Sequence, residues 1–480
     1  MSAPGGLLER AAEAIRDADL ARRHGFVSNL IGLIIEATGL QAEVGEVCLV
    51  GTERNREAVA AEVVGFRDGR TLLMPLGELH GIGPGTRVLA TGAPFTVPVG
   101  SGLLGRIVDG LGRPGDELGP PGGVARSTIA APPSALSRPR ISERVGLGVR
   151  ALDTLVPCGR GQRLGIFAGS GVGKSSLLGM VARSTGASIN VIALVGERGR
   201  EVREFIERDL GDALERSVVV VATSDQPALV RIKAAFTATT IAEHFRDEGH
   251  DVMLMMDSVT RFAMAQREVG LAIGEPPATR GYTPSVFALL PRLLERAGTS
   301  EAGSITGLYT VLVDGDDMNE PIADAARSIL DGHIVLTRSL AHAGHYPAID
   351  VLQSVSRLIG EIVSPELAAA GQSVRSALAI LREKEDLIAI GAYQPGTDDL
   401  LDAAIAHRGA IEAFLRQPVD EHSDPADADA RLLALSQSLL AALRARAEEI
   451  EDAEEVPEHA PGVPPVDGGG PAIPPLGLSI

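Results

Sequence analysis

A glycine-rich segment that ends in lysine and serine is the part of this sequence whose residue types point most directly to a chemistry. Residues 168–175 read Ala-Gly-Ser-Gly-Val-Gly-Lys-Ser, after the apolar segment 163–167 and before a helix-like segment at 177–181. A strand, a glycine-rich loop and a helix in that order form a phosphate-binding P-loop, in which backbone N–H groups and the helix N-terminus face phosphate oxygens. We therefore predict a nucleotide site made by Gly169, Ser170, Gly171, Val172, Gly173, Lys174, Ser175 and Ser176.

In such a loop the lysine and the serine have separate tasks. Lys174 is expected to reach the β- and γ-phosphates, and the Ser175 hydroxyl to hold Mg²⁺. The strict pattern asks for glycine at the position that Ala168 occupies. A glycine-rich turn without a ligand is the alternative, and the Lys-Ser ending disfavours it.

Two carboxylates follow apolar runs that have the character of buried strands. Asp257 ends the run 252–256, where a Walker B acid would hold Mg²⁺ directly or through water. Glu197 follows the run 189–195, and a carboxylate at that position can polarise a water that attacks the γ-phosphate. A solvated charge cluster that opens a helix explains Glu197 equally well, so spacing alone leaves both interpretations open.

Composition and charge restrict the class of protein. The 480 residues are 45% hydrophobic and 22% charged, as in ordinary globular proteins, with a net charge of −19. That acidity disfavours a protein that binds nucleic acid through its overall field. Cys48 and Cys158 are too few for a disulfide framework, and no N-terminal signal is visible. We expect a cytoplasmic protein that reaches a membrane only through partners.

The elements that must position these residues change in character along the chain. Short β-branched runs with a hairpin signal at Asp68-Gly69 predict a small closed barrel near the N-terminus. Apolar, strand-like segments then alternate with helical segments, which predicts a parallel sheet covered by helices. Beyond residue 360 only helices are expected. The predicted parts are an amphipathic segment 1–24, a β-barrel 25–95, an α/β P-loop core 96–355 that includes a Gly/Pro-rich connection 110–140, a helical domain 356–452 and a disordered Pro/Gly-rich tail 453–480.

Six segments make the chain resemble a known family. Their order and wording are similar to the hexameric ATPases that include the catalytic β subunit of F-type ATP synthase, and most similar to type III protein-export ATPases of the flagellum-specific kind. The resemblance implies a RecA-like ATPase core and covers about residues 25–420. It is carried by the segments 165–175, 195–202, 256–263, 281–287, 290–298 and 315–321.

The resemblance assigns roles to individual positions. Lys174 and Ser175 match the phosphate and Mg²⁺ contacts of the family, Glu197 its general base, and Asp257 its Walker B acid. Export ATPases resemble this chain at Ala168 too. The alanine at this position therefore does not weaken the prediction of a P-loop.

Further roles depend on the resemblance more heavily. Arg198 and Arg261 match arginines near the phosphates, and Tyr346 matches the aromatic side chain against the adenine, with ordinary packing as its alternative. Arg357 matches an arginine finger that reaches into the neighbouring subunit's site, against the alternative of a surface arginine. One chain that carries both site and finger implies a homo-oligomer, a hexamer by analogy.

The resemblance implies an Mg·ATP-hydrolysing motor that releases or unfolds substrates of type III protein export, and it favours the export apparatus of the flagellum. Implied partners are regulator and stalk proteins, chaperones and export substrates, at the inner face of the cytoplasmic membrane. Segment 389–396 lacks the acidic lever of the F-type β subunit. The alternatives are an injectisome ATPase, a Rho-type RNA ring helicase, which the acidity and scarce aromatics disfavour, and an ATP-binding scaffold.

Overall fold

The structure is a computed structural model that describes residues 23–51, 58–313 and 317–454, with side chains to residue 445. The predicted N-terminal segment 1–24 and the tail 453–480 therefore lie almost wholly outside the described residues.

The first part is a closed antiparallel barrel with the strand order β1-β2-β5-β4-β3-β6. Alternate residues of its strands point inward, so Ile35, Leu73 and Val88 are buried in its centre. Asp68 and Gly69 have φ values of 50° and 73°, as a tight β-hairpin turn requires. The strands are β1 His24–Ile31, β2 Ile34–Thr38, β3 Glu46–Val50, β4 Val59–Arg67, β5 Arg70–Pro75 and β6 Arg87–Pro94.

A connection leads from the barrel to the central sheet. Strand β7, Thr96–Val99, pairs antiparallel with β9, Val124–Ser127, which lies inside the Gly/Pro-rich stretch predicted as a connection. Between them, β8, Arg106–Asp109, joins the edge of the central sheet. The connection is thus paired with β7 in its middle, through β9, and begins directly after a strand of the central sheet, β8.

The central sheet has nine strands, in the order β19-β18-β12-β17-β15-β13-β14-β8, with β16 beside β17. All pairs are parallel except those of β16 and β19, so the carboxyl ends of the parallel strands share one edge. The strands are β12 Arg163–Ala168, β13 Ile189–Val195, β14 Ser217–Ala222, β15 Asp251–Asp257, β16 Gly298–Thr299, β17 Ser304–Leu312, β18 Gly332–Leu336 and β19 Val355–Ser356, and the short β10 Arg144–Val145 and β11 Cys158–Gly159 pair separately.

Helices pack on this sheet, as alternating β and α elements predict. They bury two apolar clusters, one on each side of the central strands. The helices are α1 Arg150–Leu155, α2 Lys174–Ser184, α3 Gly199–Glu204, α4 Ala228–Asp247, α5 Val259–Ala272, α6 Pro284–Leu294, α7 Pro321–Ile329 and α8 Arg338–His342.

The C-terminal part is helical, and its helix starts follow the expected capping chemistry. The Ser364 and Asp398 side chains accept the backbone N–H groups of Leu367 and Leu401. The last helix begins at Pro425, within the Ser-Asp-Pro sequence 423–425, and the Asp424 side chain accepts the N–H of Ala426 at 2.8 Å. The helices are α9 Ile359–Ile362, α10 Pro365–Glu383, α11 Glu385–Ala389, α12 Asp399–Leu415 and α13 Pro425–Glu454.

Among the described residues, no helix has both the length and the apolar character needed to cross a membrane.

A buried ion pair joins α4 to the turn that follows α6. Arg296, which follows α6, donates to both carboxylate oxygens of Glu243 in α4, at 2.8 and 2.6 Å, and each side chain is 1% exposed. Its remaining donors reach the Thr128 carbonyl oxygen at 2.8 Å and the Thr240 hydroxyl at 3.1 Å. The pair therefore also fixes the connecting segment onto the core.

We expect Arg296→Met to lower the free energy of unfolding of the core by about 3–5 kcal/mol, because it leaves the Glu243 carboxylate buried without a counter-charge. Urea denaturation measures this. Arg296→Met combined with Glu243→Leu should recover most of the loss, because no buried charge then remains. Arg408→Met, which breaks an exposed pair with Glu412, is the control and should change stability by less than about 1 kcal/mol. A loss no larger in Arg296→Met than in this control would contradict the argument.

Candidate active site

The glycine-rich segment leaves strand β12 at the shared carboxyl edge and leads directly into α2. Gly171 and Gly173 have φ values of 77° and 92°. Residues that carry a Cβ adopt such backbone angles only under strain. Ala168, by contrast, is the last residue of β12, paired with Leu312 and Leu336, so no glycine is needed there. The loop has the geometry of an anion cradle at a helix N-terminus.

Three predicted residues from three different elements meet beside this loop. Lys174, the first residue of α2, forms an ion pair with Oδ1 of Asp257, and its Nζ lies 3.7 Å from Oε1 of Glu197. Asp257 ends β15 and Glu197 follows β13, so parallel pairing brings both carboxylates to the same edge. Thr310, on β17, donates to Oδ1 of Asp257 at 2.7 Å and so orients that carboxylate. The cluster thus combines one ammonium group with two buried carboxylates.

Glu197 is held and tuned by its surroundings. Burial and the neighbouring negative charge of Asp257 raise the pKa of Glu197 to about 7, against the opposing effect of Lys174 and Arg261. Arg261 Nε donates to Oε1 of Glu197 at 3.1 Å. A Cβ at Gly196, where φ is 73°, would lie 2.9 Å from the Arg261 side chain, so glycine there allows the arginine to approach. A carboxylate with this pKa can accept a proton near neutral pH.

The other two predicted arginines lie apart from this cluster. Arg198 is 76% exposed in its side chain and pairs with Glu201 at 3.3 Å. Arg357 follows edge strand β19, and its Nη2 donates to the carbonyl oxygen of Arg327 at 3.2 Å. Within one chain, the structure brings Arg261 to the carboxylates but neither Arg198 nor Arg357.

Tyr346 lies beside the phosphate loop with an accessible ring. Its Cδ1 and Cε1 atoms are 3.7 Å from the position that a Cβ on Gly173 would take, and the residue is 45% exposed. An aromatic face at the end of a phosphate cradle can stack on a nucleotide base. Ser175 and Ser176 lie in the first turn of α2 and are half-buried, while Ser170 and Gly171 are exposed at the loop.

Some residues of this region could not be identified from sequence motifs. Thr310 lies in the middle of an apolar strand, and Gln417 and Arg150 anchor the segment behind Tyr346. None belongs to a short motif, and the signal that could have revealed them is their polarity within otherwise buried stretches.

Family models match the barrel, the nucleotide-binding core and the C-terminal helices. The model of the ATP synthase alpha/beta family, nucleotide-binding domain, matches residues 148–356. The beta-barrel domain of the same family matches residues 27–92, and the T3SS EscN ATPase C-terminal domain matches residues 363–434. The fold and the site thus define an ATPase subunit of the ATP synthase alpha/beta class.

Individual relatives identify a smaller group within this family. The flagellum-specific ATP synthase of Bacillus subtilis is 56% identical over 412 residues, 85% of this chain and 94% of the relative. The type 3 secretion system ATPase of Xanthomonas euvesicatoria is 50% identical over 429 residues, 88% of this chain and 96% of the relative. The structure of the assembled ATPase EscN from enteropathogenic E. coli matches with a TM-score of 0.82 at 47% identity, covering 86% of this chain and 100% of EscN. The chain belongs to the type III export ATPases within the ATP synthase alpha/beta family, and as a member it is an ATP-hydrolysing enzyme.

Proposed function

We propose that this chain is the Mg·ATP-hydrolysing motor of a flagellar type III protein export apparatus. One observation supports the catalytic part most strongly. Lys174, Glu197 and Asp257 come from three separate elements and converge beside a loop shaped to hold phosphates. An ammonium group for the phosphates and a base of suitable pKa are what phosphoryl transfer to water needs from the protein.

The residues present fit a bound Mg²⁺. Asp257 offers a buried carboxylate and Ser175 a hydroxyl at the first turn of α2, and oxygen atoms of this kind are the ligands that Mg²⁺ takes. Thr310 already orients the carboxylate by its hydrogen bond. When bound, Mg²⁺ supplies positive charge that neutralises the phosphate oxygens.

The chemistry then follows from the side chains. The Glu197 carboxylate orients a water molecule in line with the γ-phosphate and accepts its proton as the new P–O bond forms and the bond to the β-phosphate oxygen breaks. Lys174 stabilises the charge that develops on the phosphate oxygens, while Arg261 holds Glu197 in place. Tyr346 provides a face for the adenine. Arg198 is exposed in the single chain and would contact the phosphates on assembly.

The biological role comes from the relatives. A homo-hexamer would use ATP turnover to release or unfold export substrates and their chaperones, and the C-terminal helices would contact a stalk, as EscN has been solved in complex with its central stalk EscO. Regulator proteins would bring the ring from the cytoplasm to the inner face of the membrane. No nucleic acid is involved.

Gene deletion in the host tests this function. We expect flagellar filaments to disappear in the deletion strain and to return with the wild-type gene but not with Glu197→Gln. The reason is that the proposed function requires ATP turnover and not only the presence of the assembled ring. Electron microscopy of filaments and immunoblots of exported flagellin measure this. Rescue by Glu197→Gln at equal expression would instead indicate a scaffold.

An injectisome role is the second candidate, since the type 3 secretion system ATPase of Xanthomonas is 50% identical to this chain. Intact filaments in the deletion strain together with lost secretion of injectisome substrates would favour it, and the ATPase assignment would be unaffected.

A further inference from the structure

We propose that Gln417, in the segment after α12, is a positioning residue that fixes Tyr346 and thereby sets the affinity for the nucleotide base. This inference rests on the proposed placement of the base against Tyr346. The backbone N–H of Gln417 donates to the carbonyl oxygen of Tyr346 at 3.0 Å. The C-terminal helical part therefore touches the base side of the nucleotide site directly.

The side chain of Gln417 holds that N–H in place. Gln417 is 2% exposed, and its Oε1 accepts the N–H of Arg150 at 2.8 Å. Its Nε2 donates to the carbonyl oxygens of Gly148, at 2.8 Å, and Glu421, at 2.9 Å. Pro418 follows, which restricts the backbone of Gln417 to extended conformations. Three side-chain hydrogen bonds and a stiff backbone thus set the position of one amide.

Further hydrogen bonds hold together the same two segments, the one after α12 and the loop that carries Tyr346. The Arg150 guanidinium, also buried, donates to the carbonyl oxygens of Phe414 and Arg416, both at 2.7 Å. Arg416 Nε in turn donates to Nδ1 of His345, the residue before Tyr346, at 3.5 Å. The loop that carries Tyr346 is therefore linked to the segment after α12 at two successive residues.

The segment is also tied to the helix that carries the phosphate loop. Arg183, in the last turn of α2, donates to the carbonyl oxygen of Val419 at 2.6 Å. The helix that follows the phosphate loop and the backbone of Tyr346 are thus both hydrogen-bonded to one short segment, the residues after α12. Since Tyr346 is half-exposed, loss of these hydrogen bonds should free the ring while leaving the phosphate cradle intact.

The test compares a ligand that has a base with one that lacks it. We expect Gln417→Met in the full-length chain to raise the Kd for Mg·ATP about 5-fold, and Tyr346→Leu to raise it about 10-fold, within the range known for base stacking on an aromatic side chain. The Kd for inorganic tripolyphosphate should stay within 2-fold of wild type for both variants. In Gln417→Met, kcat at saturating ATP should also stay within 2-fold of wild type, while KM rises. Equilibrium titration and steady-state kinetics measure these quantities.

The double variant gives the decisive comparison. If Gln417 acts through Tyr346, then Gln417→Met should add almost nothing once Tyr346→Leu is present, because coupled residues are not additive. Full additivity, or an equal loss of tripolyphosphate binding, would show a general structural role and overturn the inference. An unchanged Kd for ATP in Tyr346→Leu would overturn the base placement and the inference with it. The proposed hydrolytic function would survive all three results.

A matched control separates positioning from stability. Gln162 is fully buried and also bonds through both amide atoms, to the Gly159 N–H at 2.7 Å and the Asp331 carbonyl oxygen at 3.0 Å, away from Tyr346. Gln162→Met should lower the melting temperature but leave the ratio of ATP to tripolyphosphate affinity unchanged. If Gln417→Met does not fold, Gln417→Glu, which keeps the acceptor for Arg150 but not the amide donors, serves instead with the same expected ratio. A ratio unchanged in the folded variant contradicts the inference.

Discussion

Glu197→Gln is expected to lower kcat for ATP hydrolysis by about 10²–10⁴-fold, the usual contribution of a positioned general base. The amide keeps the size of the carboxylate and can still accept a hydrogen bond from Arg261, so the fold and nucleotide binding should persist. It cannot accept the proton of the attacking water. Steady-state phosphate release together with equilibrium ATP binding separates the two effects.

The pH dependence gives this first prediction a second test. Because the pKa of Glu197 is raised to about 7, the protonated and inactive form accumulates as the pH falls through 7. The kcat/KM of the wild type should therefore decline below about pH 7 by up to tenfold per pH unit. The residual activity of Glu197→Gln should lack this limb. Glu204→Gln, which neutralises an exposed carboxylate on the adjacent helix, is the control and should behave as wild type. Wild-type turnover in Glu197→Gln would remove the residue from the mechanism.

The parts of this site that could be predicted from sequence are those set by local order along the chain. Asp257 and Glu197 each follow an apolar strand, and parallel pairing necessarily brings the ends of such strands to one edge. Lys174 follows its glycines directly. In these cases the residue type, the element and the side of the sheet are all implied by a few adjacent residues.

The remainder depends on packing between distant elements. The Arg261–Glu197 contact requires α5 to lie against the loop after β13, and no spacing rule specifies that approach. Gln417 becomes relevant only when α12 ends beside the loop of Tyr346. Arg198, which the resemblance matches to an arginine near phosphates, is exposed in the single chain and pairs with Glu201, apart from the cluster of Lys174 and the two carboxylates. Sequence reasoning is weakest where a side chain's partner comes from far along the chain or from another copy.

The position of Arg357 in the sheet determines what it can do. Ser356, the residue before it, pairs with Gly332 at the start of β18, whereas the phosphate loop leaves β12 level with Leu336 at the end of β18. These positions differ by four residues along a strand, or about 13 Å. Arg357 therefore lies at the opposite end of the sheet from the phosphate loop of its own chain, and a catalytic role requires the site of a neighbouring subunit.

Arg357→Ala should lower kcat by about 10³–10⁵-fold, the range known for arginine fingers. Arg357→Lys should recover only a small part, because an ammonium group keeps the charge but loses the planar fork that binds phosphate oxygens. Phosphate release by the assembled protein measures both. Analytical ultracentrifugation serves as the control that the variants still assemble, since a variant that fails to oligomerise would lose activity for a different reason.

Mixing two inactive variants tests whether the finger acts between subunits. Lys174→Ala lacks a working phosphate site but keeps its Arg357, and Arg357→Ala keeps the site but lacks the finger. In rings assembled from an equal mixture, about a quarter of the head-to-tail interfaces join an intact site to an intact finger. Activity should therefore rise from near zero in either variant to about a quarter of wild type on mixing, because each competent interface needs only those two groups. A mixture that exchanges subunits and stays inactive would contradict catalysis in trans. Substantial turnover in Arg357→Ala alone would show that this arginine is a surface residue.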